Sequence, residues 1–169
     1  MADHYIDIVN ENDEVIGKEL KSKKTELGFI SRVSAIFIRD SQGKFIICKR
    51  SPDKKYDPNK YDLAACGSLM VGESYEDGAR RELEEETGIN CKLTMLDKFY
   101  EEVWHENKIF KFFCGIFLAQ SDQKLKLNEE LVSYRKMAFN EIENEILNNP
   151  NDFCPGFIND FNRVKNLLS

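Results

Sequence analysis

The residues able to do chemistry concentrate between Gly67 and Ile89, in the stretch GSLMVGESYEDGARRELEEETGI. Its spacing is fixed: Gly67, Glu73 after five residues, Arg81 and Glu82 after seven more, then Leu83, Glu85, Glu86, Gly88 and Ile89. A helix turning about 100° per residue puts Glu82, Glu85 and Glu86 on one face, because side chains three and four apart are neighbours. An acidic run is by default a solvated face, and Glu84, which points away from the other three, fits that description. An ordinary solvent face interleaves lysines at i+4, and this one has none. Three such carboxylates are oxygen donors for a hard divalent cation, magnesium first and manganese as a substitute. The chemistry that suits them is metal-dependent attack of water on a diphosphate.

The element that must present these carboxylates has its own start and stop signals. Ser74-x-x-Asp77 resembles a capping box, so the helix is expected to begin near Tyr75 and to end at Gly88, a natural residue just past a C-terminus. Ala79 and Leu83 form an i, i+4 apolar stripe for packing on a sheet. Two features oppose the helix. Gly78 costs roughly 1 kcal/mol against alanine in a helix interior. Glu85 and Glu86 add negative charge near the C-terminal end, where the helix dipole disfavours it. Arg81 stands four residues before Glu85, the spacing of a surface ion pair worth little.

Every fixed position of this stretch matches the Nudix box, and the chain resembles the Nudix hydrolase superfamily. The resemblance implies that Arg81 pairs instead with Glu73 of the preceding loop, in a two-pronged grip that orients the metal ligands. It also implies that the Gly67 backbone carbonyl ligates metal beside Glu82, Glu85 and Glu86. Outside the box, Asp7-Ile8-Val9-Asn10-Glu11 with Gly17, Cys48-Lys49-Arg50-Ser51, and Pro58 before Asp62 look like the branch related to isopentenyl-diphosphate isomerase. That isomerase has a catalytic cysteine before a Gly-His pair, whereas here Cys66-Gly67 is followed by Ser68, and the chain has no histidine between Tyr5 and Trp104. The box, meanwhile, keeps the glutamates that hydrolysis needs. Cys66 is therefore read as a packed or incidental thiol. Some Nudix-fold domains are ligand-binding modules that dispense with the box carboxylates; this chain retains the full set.

Composition agrees with one domain spanning residues 1–169. The chain is 41% hydrophobic and 32% charged, with a net charge of −6 that argues against coating a nucleic-acid polymer. Bound cations would reconcile an acidic protein with an anionic small-molecule diphosphate. The five cysteines are scattered without a CxxC pair, and with two histidines they do not suggest a zinc site. Reduced thiols, no signal peptide and no membrane-length apolar run point to the cytoplasm, with no membrane partner. A homodimer is compatible with the sequence.

Turn signals and periodicity give the order of elements. Residues 5–9 and 15–19 flank the turn Asn10–Asp13 as a hairpin. Residues 32–39 and 44–50, around Asp40–Gly43, form a second. Residues 51–60 are a loop and 61–69 are extended. Two further strands occupy 91–102 and 108–119, with Trp104 to Asn107 in their connection, and a last strand covers 131–138. Helices are expected at 140–148 and 156–168. Mixed strands with helices packed outside predict an α/β fold of the α/β/α sandwich type, which is also the fold the resemblance implies.

The expected reaction is hydrolysis of a diphosphate linkage, with the metal lowering the pKa of a bound water. Glu82 is one candidate for the carboxylate that takes the proton. Glu130, in the Glu129-Glu130 pair before the last strand, is favoured, and an exposed acidic turn is the alternative. Arg50 is placed to hold a substrate phosphate or to be a plain strand-end arginine. Tyr56, Tyr100, Trp104 and Phe112 are candidates for stacking on a base, or for core and surface.

Overall fold

The computed structural model describes residues 3–105 and 107–169. Glu106, in the expected Trp104–Asn107 connection, lies outside the described residues. Nine strands form one mixed sheet: β1 (Tyr5–Val9), β2 (Val15–Leu20), β3 (Ile30–Arg39), β4 (Phe45–Arg50), β5 (Tyr61–Asp62), β6 (Ala65–Ser68), β7 (Leu93–His105), β8 (Lys108–Gln120) and β9 (Leu131–Met137). The helices are α1 (Lys24–Leu27), α2 (Tyr75–Thr87), α3 (Phe139–Asn148) and α4 (Pro155–Leu168).

β3 is the spine. It runs parallel to β8 from Ile30↔Lys111 to Arg39↔Gln120, antiparallel to β6 from Val33↔Ser68 to Ile36↔Ala65, and touches β1 at Val9↔Ile30. Its side chains alternate between two cores, as a strand's period of two requires. Ala35 and Phe37 join Phe45, Ile47, Phe157, Phe161 and Val164 beneath α3 and α4. Ile36 and Ile38 join Ile46, Phe117, Ala79 and Leu83 beneath α2. The helices thus cover both faces of the sheet, in an α/β/α sandwich.

The second expected hairpin is corrected. β3 and β4 share the single pair Arg39↔Phe45, closed where Asp40 Oδ1 accepts the Gln42 and Lys44 amides at 3.0 and 2.9 Å. Beyond it the strands part: β3 binds β8 and β6, while β4 takes β9, from Phe45↔Met137 to Arg50↔Leu131. A tight turn fixes only its own ends, and strand partners distant in sequence decide the rest. The first hairpin forms as expected, with Tyr5↔Leu20 to Ile8↔Gly17 in register and a shift before Val9↔Val15. No helix among the described residues is long and apolar enough to cross a membrane.

Candidate active site

The helix carrying the carboxylates is built as its sequence directs. Ser74 Oγ accepts the Asp77 amide at 3.1 Å at the N-terminus, and Gly88 closes the C-terminus at φ 70°, a left-handed conformation that glycine adopts without penalty. Ala79 and Leu83 are fully buried against the sheet, Glu82 and Glu86 are buried beside them, and Glu84 and Glu85 face solvent. Gly78 has a packing reason that composition could not show. A Cβ there would stand 2.8 Å from Leu69 Cγ and 3.2 Å from Glu73 Oε2.

Arg81 organises the loop, the helix and the end of β6. Its Nε and Nη2 donate to the two Glu73 oxygens at 2.7 and 2.9 Å, and Nη2 also reaches the Ser68 carbonyl at 3.1 Å. Nη1 donates to Glu82 at 2.7 Å and, more weakly, to Glu85 at 3.3 Å. Both pairings open to the sequence are therefore made, the Glu73 grip being the closer and two-pronged. Glu73 Oε2 accepts the Met70 amide at 2.7 Å as well, and its pKa is lowered, chiefly by Arg81.

Gly67 sits under this assembly. A Cβ on it would fall 2.1 Å from the Glu82 carboxyl carbon, so any side chain there would displace that carboxylate. Gly67, Glu82, Glu85 and Glu86 line one cleft together with Arg81, Glu130, Lys54 and Asn128. Glu130 arrives from the far end of the chain. Its amide is held by Asn128 Oδ1 at 2.9 Å, its carbonyl takes the Ser51 amide at 2.8 Å, and its carboxylate pairs with Lys54. Lys54 and Asn128 carry no sequence signal, since each is one polar residue in a polar loop.

Burial, followed by the charges of Glu82 and Glu130, pushes the Glu86 carboxyl up to about 9, with Lys54 pulling the other way. Crowded acids in a dry wall call for a cation. The donor chemistry, carboxylates around Gly67, suits a hard divalent ion. Among the described residues no three acidic, imidazole or thiol groups converge as a ready-made cage. Glu82 and Glu85 are drawn to Arg81 instead.

Of the two roles open to Arg50, its contacts are those of a strand-end arginine. Its Nη1 pairs with Asp62 at 2.9 Å and its Nη2 donates to the Tyr56 carbonyl at 2.9 Å, bracing the loop after β4. It is not among the residues of the carboxylate cleft. Of the aromatic candidates, Tyr56 lines an adjoining recess and Phe112 lies under Lys24, 5.2 Å from the ammonium. Tyr100 and Trp104 are 40% and 69% exposed on β7, outside both cavities. Cys66 lines cleft and recess, solvent-accessible yet deep in the concavity. That setting, with Cys114 beside it, raises its thiol well above the ordinary value.

Comparison with known proteins identifies the family and the fold. The NUDIX domain family model matches residues 29–154. An uncharacterized Nudix hydrolase of Pseudomonas aeruginosa is 33% identical over 125 residues, covering 74% of this chain and 72% of that one. An isopentenyl-diphosphate Delta-isomerase of Photorhabdus laumondii is 29% identical over 132 residues, 78% of this chain and 75% of its own. A Deinococcus radiodurans crystal structure superposes with a TM-score of 0.71 at 26% identity, covering 86% of this chain and 90% of that one.

Proposed function

This chain belongs to the Nudix family and is a pyrophosphohydrolase; from that premise we propose that it is a magnesium-dependent enzyme cleaving the diphosphate linkage of a small, nucleoside diphosphate-linked or related substrate. The observation that carries the reading is that Glu82, Glu85, Glu86, Gly67 and the remote Glu130 line one cleft. Glu82, Glu85, Glu86 and the Gly67 carbonyl would hold the ion, which when bound supplies charge neutralisation at the phosphate oxygens and a more acidic water. Arg81 and Glu73 orient those ligands from behind. Glu130 is our choice for the general base, since it faces the same space from another element and leaves the box glutamates to bind. Lys54 holds that carboxylate in place until substrate and metal enter.

An isomerase reading has two observations in its favour: Cys66 opens on the cleft beside Gly67, and a relative bears that name. Against it stand Ser68 in the position of the isomerase's histidine and a thiol whose pKa is raised, the wrong direction for a nucleophilic thiolate. The test is a panel of nucleotide sugars, dinucleoside polyphosphates, nucleoside triphosphates and isopentenyl diphosphate, each with and without magnesium, with products identified by mass. Cleavage between phosphorus atoms supports the proposal. Isomerised isopentenyl diphosphate, lost in Cys66→Ser, would replace it. Ligand binding without turnover would make the chain a binding module.

A further inference from the structure

Beside the carboxylate cleft, and sharing Asp3, His4, Lys21, Cys66 and Gly67 with it, lies a second recess of about 730 Å³. Its charge is opposite. Among the described residues, Lys21, Lys24, Lys55 and Lys108 line it against one carboxylate, Asp3, which is already engaged by the Ser22 amide and hydroxyl at 3.1 and 2.6 Å. The chain as a whole is acidic, so four ammonium groups around one hollow is a local inversion of sign.

Lys24 is the telling member. Only 9% of its surface is exposed, and among the described residues it has neither an ion-pair nor a side-chain hydrogen-bond partner. Its nearest company is the Phe112 ring at 5.2 Å, and burial lowers its pKa to about 8. A lysine so largely buried, with its ammonium facing a hollow and no carboxylate paired to it among the described residues, favours an anion beside it. His4 repeats the theme, with a buried Nε2 that has no hydrogen-bond partner among the described residues. Both groups border the hollow, and neither is used by the hydrolytic machinery. A cluster of lysine ammonium groups is a set of mobile point charges, the kind of cationic lining that holds a multiply charged phosphoryl group.

We propose that this recess binds a second phosphoryl group of the substrate, one outside the linkage being cut, with Lys24 at its base and His4, Lys21, Lys55 and Lys108 around it. The substrate class narrows to small diphosphates carrying at least one further phosphate. The inference rests on the pyrophosphohydrolase reading for its meaning, but its test does not need turnover.

Inorganic tripolyphosphate is titrated calorimetrically into the full chain in EDTA at low salt. Wild type and Glu84→Gln, whose exposed side chain lines neither cavity, should bind it alike, Lys24→Met at least tenfold more weakly, and Lys24→Arg close to wild type. Removing a buried unpaired charge should leave the melting temperature of Lys24→Met equal or higher; should that variant not fold, Lys21→Met/Lys108→Met reads the same loss. In the magnesium assay, kcat/KM for a substrate with the extra phosphate, relative to its counterpart without it, should drop at least tenfold in Lys24→Met. No saturable binding by wild type, or equal binding by the lysine variants, overturns the proposal. Binding in EDTA with no cleavage of any diphosphate would instead sink the hydrolytic reading and leave the anion site standing.

Discussion

Arg81 touches Glu73, Glu82 and Glu85 at once, so the residue that holds the box together also competes with any metal for its ligands. Arg81→Lys keeps the charge but loses the two-pronged grip on Glu73. Small displacements of catalytic groups can cost on the order of 100-fold in rate. Reduced turnover and a rightward magnesium curve, at nearly constant melting temperature, are expected; a titration overlaying wild type at equal turnover would show that Arg81 is only a surface charge. Glu85→Gln and Glu86→Gln preserve volume and remove a charged ligand. Each should lower turnover beyond the roughly 10–100-fold typical of outer partners of a metal site, with wild-type rates in both overturning the ligand assignment. At this scale the sequence was most legible, because spacing within one helix is a local matter. Lys54, Asn128 and Lys24 were not legible. Their meaning comes from what lies opposite them, and a single polar residue outside any motif carries no trace of its partner.

At the scale of elements, α2 was readable to within its caps, and β3 and β4 were readable as strands but not as neighbours. Strand partners are chosen by long-range pairing, and the Asp40–Gly43 turn specifies only the Arg39↔Phe45 pair. Gly78 reverses its expected sign for the same reason. Gly→Ala in a helix ordinarily stabilises by up to about 1 kcal/mol, but here the new methyl would meet the buried Leu69 at 2.8 Å. Overpacking of that kind costs about 1–3 kcal/mol, so Gly78→Ala should melt several degrees lower by calorimetry; a higher melting temperature would show that Leu69 yields freely. In α4, Asp160 is buried and its carboxyl is raised to about 8 by desolvation, then by Glu101 and Asp62, with Arg163 opposing. The sign follows from that direction. Below the ordinary value of 3.8 the folded and unfolded states are both protonated and nothing is lost. As pH rises toward 8 the unfolded chain ionises first and stability falls. Asp160→Asn should therefore show a melting-temperature advantage that is absent near pH 3.5, grows through neutrality and levels off above pH 8. A pH-independent difference would contradict the burial argument.

Across the whole molecule, two cavities of opposite charge lie side by side on a chain of net charge −6. Composition predicted that an acidic protein would need cations to receive an anion, and it could not predict that lysines would gather at one recess. If the ion is bound by the folded chain alone, magnesium at about 100 times its dissociation constant should stabilise by about 2.7 kcal/mol. A thermal shift of several degrees is expected in wild type and is to be absent in Glu85→Gln and Glu86→Gln. The most direct test of the central claim is hydrolysis in 18O-labelled water, with each product of the diphosphate panel weighed by mass spectrometry. The account predicts cleavage between two phosphorus atoms, one 18O on one phosphate product, and loss of both on adding EDTA. Unlabelled products, or labelled cleavage that persists undiminished in EDTA, would contradict it.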